Sequence, residues 1–203
     1  QIQETVLKDV KIIGLGFISD GRYVVLDRSN NITLYTPEYT QLNVMFETLS
    51  HDEGGFADLS VDSDDQIYLT YMEAQKIHVF SPAGGKAIRE IPCDGYEPWQ
   101  ITSFKDHLIT VSDDTIRLLD KQGVVKYRLA KLGGYLVTAA VSQGNTILIA
   151  TMKRDVGLVS IDEYTKELKH VQNFVIDYKI EEHTSEWYYL QQYRTGEIAF
   201  CTP

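Results

Sequence analysis

The chain has 203 residues, of which 43% are hydrophobic and 24% are charged, and this is the balance of a globular domain with its own core. Such a composition excludes a disordered, collagen-like or membrane-spanning chain. Asp and Glu number 29 against 19 Lys and Arg, so the net charge of −10 would repel a nucleic-acid backbone unless a local basic patch overcame it. Cys93 and Cys201 stand in no metal-binding spacing and are too few for a disulfide framework, which favours a reducing, cytoplasmic compartment.

A short apolar pattern recurs along the chain, and its copies begin at Ile32, Ile77, Ile116 and Leu158. The copies are about 40 residues apart, a spacing typical of repeat architectures. A strand-like run rich in β-branched and aromatic residues precedes each copy, and a turn pair precedes each run. These runs begin at Tyr23, Ile67, Leu108 and Ile147, and a fifth begins at Ile198. Another apolar run lies further upstream each time, so one period holds four short strands.

A period of this length with four strands predicts an all-β protein, a β-propeller of four-stranded blades. A β-sandwich is the alternative, but it does not explain why the same strand order recurs four times. Helical periodicity is almost absent from the sequence.

The blades are expected at residues 11–51, 56–94, 99–132 and 136–181, within a single propeller domain covering residues 1–203. Residues 187–203 supply two strands of a fifth blade, and residues 4–10 form one spare strand. Two arrangements remain open: a five-bladed ring in which the spare strand completes the last blade, or a truncated piece of a six-bladed ring.

The segment from Asp20 to Tyr35 resembles the NHL repeat, whose core is an Asp-Gly pair, an apolar run, an Asp, a short turn with Asn and a second apolar run. In that pattern Asp27 and Asn30 are the residues that hydrogen-bond the turn. The later blades depart from it, because Tyr71 and Ser112 replace Asp27. The resemblance is greatest to the propellers that end tripartite-motif (TRIM) ubiquitin ligases. It implies a domain that selects a protein target, with any ligase activity in upstream domains that this sequence does not contain.

Loops on one face of a propeller usually form its binding surface, and here they carry aromatic and mixed-charge residues. The predicted partner-binding residues are Arg28, Tyr71, Tyr96, Trp99, Lys153 and Arg154. Trp99 also opens an inner strand, where packing between blades is an alternative role. The partner is expected to be a protein, with RNA less favoured by the charge, and the sequence does not determine the oligomeric state.

A catalytic or metal site is not expected. Asp58, His51 and His183 are the candidate metal ligands, but one carboxylate on an inner strand does not make a coordination shell. No nucleophile elbow, phosphate-binding glycine loop or Cys-His pair is present in the sequence. The sequence therefore predicts a non-enzymatic recognition module without a cofactor, with a metal-dependent or small-ligand propeller enzyme as the alternative.

Overall fold

A computed structural model describes residues 11–112, 115–130, 135–141, 146–153, 158–179, 189–192 and 198–201. Seventeen strands and one helical turn lie in this part of the chain. In chain order, the first elements are β1 (Ile12–Phe17), β2 (Tyr23–Asp27), β3 (Ile32–Tyr35), α1 (His51–Gly54), β4 (Leu59–Val61), β5 (Ile67–Tyr71), β6 (Lys76–Phe80) and β7 (Arg89–Pro92). There follow β8 (Gln100–Phe104), β9 (His107–Ser112), β10 (Thr115–Asp120), β11 (Val125–Ala130), β12 (Tyr135–Val141), β13 (Thr146–Lys153), β14 (Leu158–Thr165), β15 (His170–Lys179), β16 (Tyr189–Gln192) and β17 (Ile198–Cys201).

The strands form successive antiparallel sheets in which sequence neighbours pair. Three sheets have four strands, β4 to β7, β8 to β11 and β12 to β15, while β1 to β3 form a three-stranded sheet and β16 and β17 a two-stranded one. Repeated four-strand meanders of this kind are the blades of a β-propeller, so the predicted fold class is confirmed.

Two compact units divide the chain, Gln1–Ile101 and Thr102–Pro203. Each is described by itself below. The single domain over residues 1–203 and the choice between a five-bladed and a truncated six-bladed ring stay predictions. The spare strand expected at residues 4–10 lies outside the described residues.

Carboxylates at the hairpins explain why the strands turn where they do. Asp27 accepts hydrogen bonds from the N–H groups of Ser29 (2.8 Å) and Asn31 (3.0 Å), which closes the turn between β2 and β3. Asp62 and Asp120 accept pairs of turn N–H groups in the same way. A short acidic side chain can bond its own backbone two and four residues on, which stabilises the turn.

The first sheet has three strands where the repeat predicts four. The chain leaves β3 through a hairpin, and Gln41 makes one bridge to Tyr35. Residues 43–50, called the linking segment here, then run to the second sheet, where Phe46 bridges to Gly85 and packs edge-on against Phe80 at 5.8 Å between ring centroids. Packing of this segment on the second sheet therefore replaces a fourth strand in the first.

Apolar side chains from the first two sheets form the core of the first unit. Val24, Leu26 and Leu34 pack with Ile67 and Leu69, all of them buried. A separate core in the second unit gathers buried residues of β9, β10, β13 and β14, including Ile109, Ile116 and Ile149.

Three polar contacts join segments of the first unit that are far apart in sequence. The Ser19 N–H and hydroxyl donate to the Asp65 carboxylate at 2.8 and 2.6 Å. The Asn30 side-chain amide donates to the Gly55 carbonyl at 2.9 Å. The Ile101 N–H donates to Asp58 Oδ2 at 2.9 Å. These contacts fix the ends of the strands that carry the candidate site.

Candidate functional site

Four loops of the first unit meet at one end of its sheets, and residues 28–30, 51–56, 72–76 and 93–99 are called the loop surface here. Backbone hydrogen bonds join them, because Gly54 accepts from Glu73 at 3.0 Å and Phe56 accepts from Met72 at 3.0 Å. The Cys93 N–H donates to the Gln75 carbonyl at 2.8 Å, which attaches the fourth loop. Together with the bond from Asn30 to Gly55, these contacts hold the four loops in one arrangement.

Three of the predicted partner-binding residues lie on this surface. Arg28 is exposed in the turn between β2 and β3, and its N–H donates to the carbonyl of Lys11. Tyr96 and Trp99 are half-buried in the loop between β7 and β8. The structure thus brings together an exposed guanidinium and two partly accessible aromatic rings from distant parts of the sequence.

Tyr71 is not on the surface, and the expectation that it is available to a partner is wrong. Its side chain is completely buried, its hydroxyl accepts the Leu49 N–H at 3.0 Å, and its ring packs edge-on against His78. Burial raises the pKa of the Tyr71 hydroxyl to about 12. This residue anchors the linking segment, because strand β5 turns its last side chain toward the core.

Lys153 and Arg154 belong to the second unit. Lys153 is the last residue of β13, where it pairs with Tyr135 and Leu158. The Lys153 side chain and the whole of Arg154 lie outside the described residues, so their part in binding stays a prediction.

Acidic side chains dominate the loop surface, whereas the sequence suggested mixed charge. Its exposed acidic residues are Asp52, Glu53, Glu73, Asp94 and Glu97. Hydrogen bonds from the Ser50 N–H and hydroxyl lower the pKa of Glu53, which keeps that carboxylate ionised. Of the basic side chains in these loops, Arg28 is exposed and Lys76 pairs with Glu90 at 3.3 Å. The field at this end of the unit is therefore negative.

Helix α1 places an aromatic group on the loop surface that the sequence analysis missed. Phe56 is 45% exposed, and the His51 ring packs edge-on against it at 4.7 Å between centroids. The helical turn was missed as well, although Ser50 and Glu53 stand at the spacing of a capping box. This capping-box spacing is the sequence signal from which α1 could have been predicted.

Asp58 immediately precedes β4 and is partly buried. Its Oδ2 atom accepts the Ile101 N–H, and its backbone carbonyl accepts the Thr70 N–H at 3.0 Å. Burial raises the pKa of the Asp58 carboxyl to about 7, against the lowering effect of the Ile101 and Leu59 amides. Perturbed pKa values are common at functional sites, so Asp58 is a candidate functional group.

The candidate metal ligands do not form a recognisable site in the described part of the chain. His51 and Asp58 lie there, and no group of three or more His, Cys, Asp or Glu side chains in that part could hold an ion. His183 falls outside the described residues. Over the same residues, no helix has the length and apolar character needed to cross a membrane.

No protein-family model matches the sequence, and no curated protein matches it. Solved structures do match, among them several at 12 to 17% identity. They include a streptogramin B lyase (14% identity, TM-score 0.65, 95% of this chain and 62% of that chain). The β-propeller domain of Cps50 (Swd1) from Myceliophteria thermophila also matches, with 12% identity and a TM-score of 0.66 over 97% of this chain and 63% of that chain. The WD40 β-propeller domain of Doa1 matches with 12% identity and a TM-score of 0.59 over 95% of this chain and 76% of that chain.

These likenesses show the propeller fold and do not show the NHL type. The chain spans about 62% of the length of the streptogramin B lyase and about 63% of that of the Cps50 domain. Both an enzyme and WD40 domains share the fold, so the fold by itself does not select a function.

Proposed function

We propose that this chain is a non-catalytic recognition module that binds a basic segment of a protein partner through the loop surface. The observation that carries the proposal is the excess of exposed carboxylates beside an exposed aromatic ring at one end of the first unit. Lys and Arg side chains can pair with the carboxylates while their aliphatic stems and charged groups pack on aromatic rings.

The charge of the surface also selects among classes of partner. A polyanion such as RNA gains most of its affinity from neutralised phosphates, and Arg28 is the one exposed basic side chain within the four loops. A basic peptide meets a complementary field, which raises the association rate and rejects acidic competitors. Protein recognition is therefore favoured over RNA binding.

A charge-reversal pair tests the proposal. Glu73→Lys combined with Glu97→Lys changes the charge of the loop surface by four units, at side chains that are exposed. We expect the double variant to lose at least about tenfold in capture of its partners, which corresponds to about 1.4 kcal/mol. The measurement is a pull-down quantified by mass spectrometry, with and without nuclease, at two salt concentrations.

The matched control is Glu38→Lys, an exposed carboxylate in the hairpin after β3 and outside the four loops. It should leave capture unchanged. Equal capture by the double variant and the wild type would refute the proposal, and so would capture that disappears with nuclease.

A small-molecule or enzymatic role is the second candidate, and Asp58 is the observation that favours it. Its carboxyl has a pKa near neutrality and sits where an inner strand begins. The likeness to a streptogramin B lyase concerns the fold alone, so this candidate depends on Asp58 itself. Titration of Asp58 by NMR, with a shift of its pKa on addition of a ligand, would support it.

We further propose that the module is the target-selecting part of a larger cytoplasmic protein. That protein would resemble a tripartite-motif ubiquitin ligase, which carries an NHL propeller. The resemblance of residues 20–35 to the NHL repeat supports this. Asp27 bonds the turn as in that pattern, whereas the Asn30 side chain bonds the Gly55 carbonyl instead. Co-purification with ubiquitin-conjugation enzymes from cells is the test.

A further inference from the structure

His78 is a buried titratable side chain that lies outside the loop surface. It is 6% exposed on β6, and neither ring nitrogen makes a hydrogen bond. Its Nε2 atom lies 3.3 Å from Glu90 Oε1, a contact that becomes an ion pair when the ring is protonated. A buried polar group without hydrogen bonds destabilises the folded chain, so its presence here calls for an explanation.

The His78 ring lies between the two aromatic side chains that hold the linking segment. Pairing of β5 with β6 places it on the core-facing side of the second sheet, between Tyr71 and Phe80. The ring packs edge-on against both, at 4.8 Å from Tyr71 and 6.0 Å from Phe80 between centroids. The Tyr71 hydroxyl accepts the Leu49 N–H, and Phe80 packs against Phe46. One side chain therefore contacts both points at which the linking segment is attached.

The linking segment is held to the second sheet by contacts that can break without unfolding that sheet. The Glu47 N–H donates to the Gly85 carbonyl at 2.9 Å, and the Gly85 N–H donates to the Met45 carbonyl at 2.7 Å. The Met45 side chain is 82% exposed, and every second residue from Gln41 to Glu47 is exposed. A segment with so much exposed surface opens at a lower free energy than the sheet beneath it.

Charged groups near His78 leave the neutral ring favoured while the linking segment is closed. Burial is the main cause of a lowered His78 pKa, which the Glu90 carboxylate opposes and the Lys76 ammonium reinforces. Glu90 also pairs with Lys76 at 3.3 Å, and its side chain is 57% exposed. It therefore compensates a positive charge on the ring only in part.

Other titratable groups on the adjoining elements are neutral or bonded elsewhere. The Tyr71 hydroxyl on β5 is neutral, because its pKa is about 12. The Glu53 carboxylate on α1 accepts the Ser50 N–H and hydroxyl. In the linking segment, the Glu47 carboxylate is exposed and lies 4.0 Å from the Lys86 ammonium. Protonation of the ring therefore places a poorly compensated charge among aromatic side chains.

We propose that protonation of His78 releases the linking segment from the second sheet. While the segment is closed, the ring lies between Tyr71 and Phe80 and away from water. Once the segment opens, the ring reaches water, where histidine ordinarily has a pKa of about 6.5. Opening and proton binding therefore favour each other, and the open state becomes more populated as the pH falls from 7.5 to 5.5.

Release of the linking segment also loosens part of the loop surface. The segment ends at Ser50, which is the N-cap of α1 and whose carbonyl accepts the Gly54 N–H at 2.9 Å. Residues 51–56 follow directly and include the exposed Phe56 ring. Capture of a partner by the loop surface should therefore fall at acidic pH. This consequence rests on the proposed function, whereas the release of the segment does not.

Amide hydrogen exchange of the full chain tests the release, measured by NMR at pH 7.5 and 5.5 and corrected for the intrinsic effect of pH on exchange. We expect the protection factors of the Glu47 and Leu49 amides to fall several-fold at pH 5.5. One proton on a group with an ordinary pKa of about 6.5 limits the fall to about tenfold. The Ile88 N–H, which donates to the Val79 carbonyl in the same sheet, should keep its protection.

Two replacements of His78 remove the titratable ring and keep an apolar side chain of similar size. In His78→Phe and His78→Leu, the protection of Glu47 and Leu49 should be the same at both pH values. His107→Phe is the matched control, at a histidine on β9 of the second unit, and it should leave the wild-type fall unchanged. Pull-downs at both pH values measure the consequence for the loop surface, because capture by the wild type should fall at pH 5.5 and capture by His78→Phe should fall less.

Unchanged protection of Glu47 and Leu49 in the wild type overturns the proposal, and so does a fall that persists in both His78 variants. A fall shared by Ile88 overturns it as well, because the whole sheet would then unfold. If protection falls through His78 while capture stays constant with pH, the release is supported and its consequence for the loop surface is refuted.

Discussion

Asp58→Asn should stabilise the protein, and the gain should grow as the pH rises from 4 to 7. The native pKa of Asp58 is about 7 and its ordinary value is 3.8. Between these values the folded chain holds a proton that the unfolded chain has released, so the wild type loses stability as the pH rises. Asn cannot ionise, and its side-chain oxygen can still accept the Ile101 N–H.

The magnitude follows from the same two values. A difference of about three pKa units corresponds to about 4 kcal/mol. Asp58 is only partly buried, so contact with water reduces the cost of its charge, and we expect a gain of about 1 to 3 kcal/mol at pH 8. Below pH 4 the carboxyl is protonated in both states and the gain should vanish.

Urea unfolding of the wild type and the variant at four pH values between 4 and 8 measures this difference. Asp94→Asn is the matched control, an exposed carboxylate whose replacement should change the free energy of unfolding by less than about 0.5 kcal/mol throughout. If Asp58→Asn gains no free energy of unfolding over the wild type, or gains most at pH 4, then the ionised Asp58 carboxylate does not destabilise the folded chain and the reasoning is refuted.

Three further predictions concern the packing of the first unit. Tyr71→Phe removes the acceptor of the Leu49 N–H and should lower the free energy of unfolding by about 1 to 2 kcal/mol in urea titrations, while partner capture by the folded protein stays unchanged. Gly84→Ala should destabilise more than Gly85→Ala in the same assay. Both residues have positive φ, but an added Cβ at Gly84 would lie 2.5 Å from a carbonyl of the linking segment, whereas at Gly85 it would meet nothing within 4 Å. Burial lowers the pKa of His78, so the folded chain binds a proton less readily than the unfolded chain and the free energy of unfolding falls as the pH drops below 6.5. Phe cannot be protonated, so His78→Phe should reduce this loss of stability between pH 6.5 and 5. Thermal unfolding at the two pH values measures the difference.

The acidic character of the loop surface has a consequence for assays of binding. Interactions between exposed charges weaken as salt shortens the range of the field. Partners captured at low salt through the carboxylates of Glu73 and Glu97 should therefore be released as the salt concentration rises. A salt series on one pull-down measures this release.

The sequence by itself determined the positions and the order of the strands. The runs beginning at Tyr23, Ile67 and Leu108 became β2, β5 and β9, because alternation of apolar residues and short turns are properties of neighbouring residues. The turn role of Asp27 was predictable for the same reason, since its bonds reach only two and four residues along the chain.

Tertiary structure alone decided which of these residues can meet a partner. Tyr71 is the last residue of β5, at a position that the repeat pattern assigns to a loop. The linking segment covers this side chain, and the N–H of Leu49, 22 residues earlier, donates a hydrogen bond to the Tyr71 hydroxyl. The pKa of Asp58 depends on burial and on an N–H group 43 residues later, at Ile101. The first sheet ends at β3 because residues 43–50 pack on another sheet. Local patterns encode hydrogen bonding over a few residues, whereas burial, charge and edge pairing are set by which distant segments come into contact.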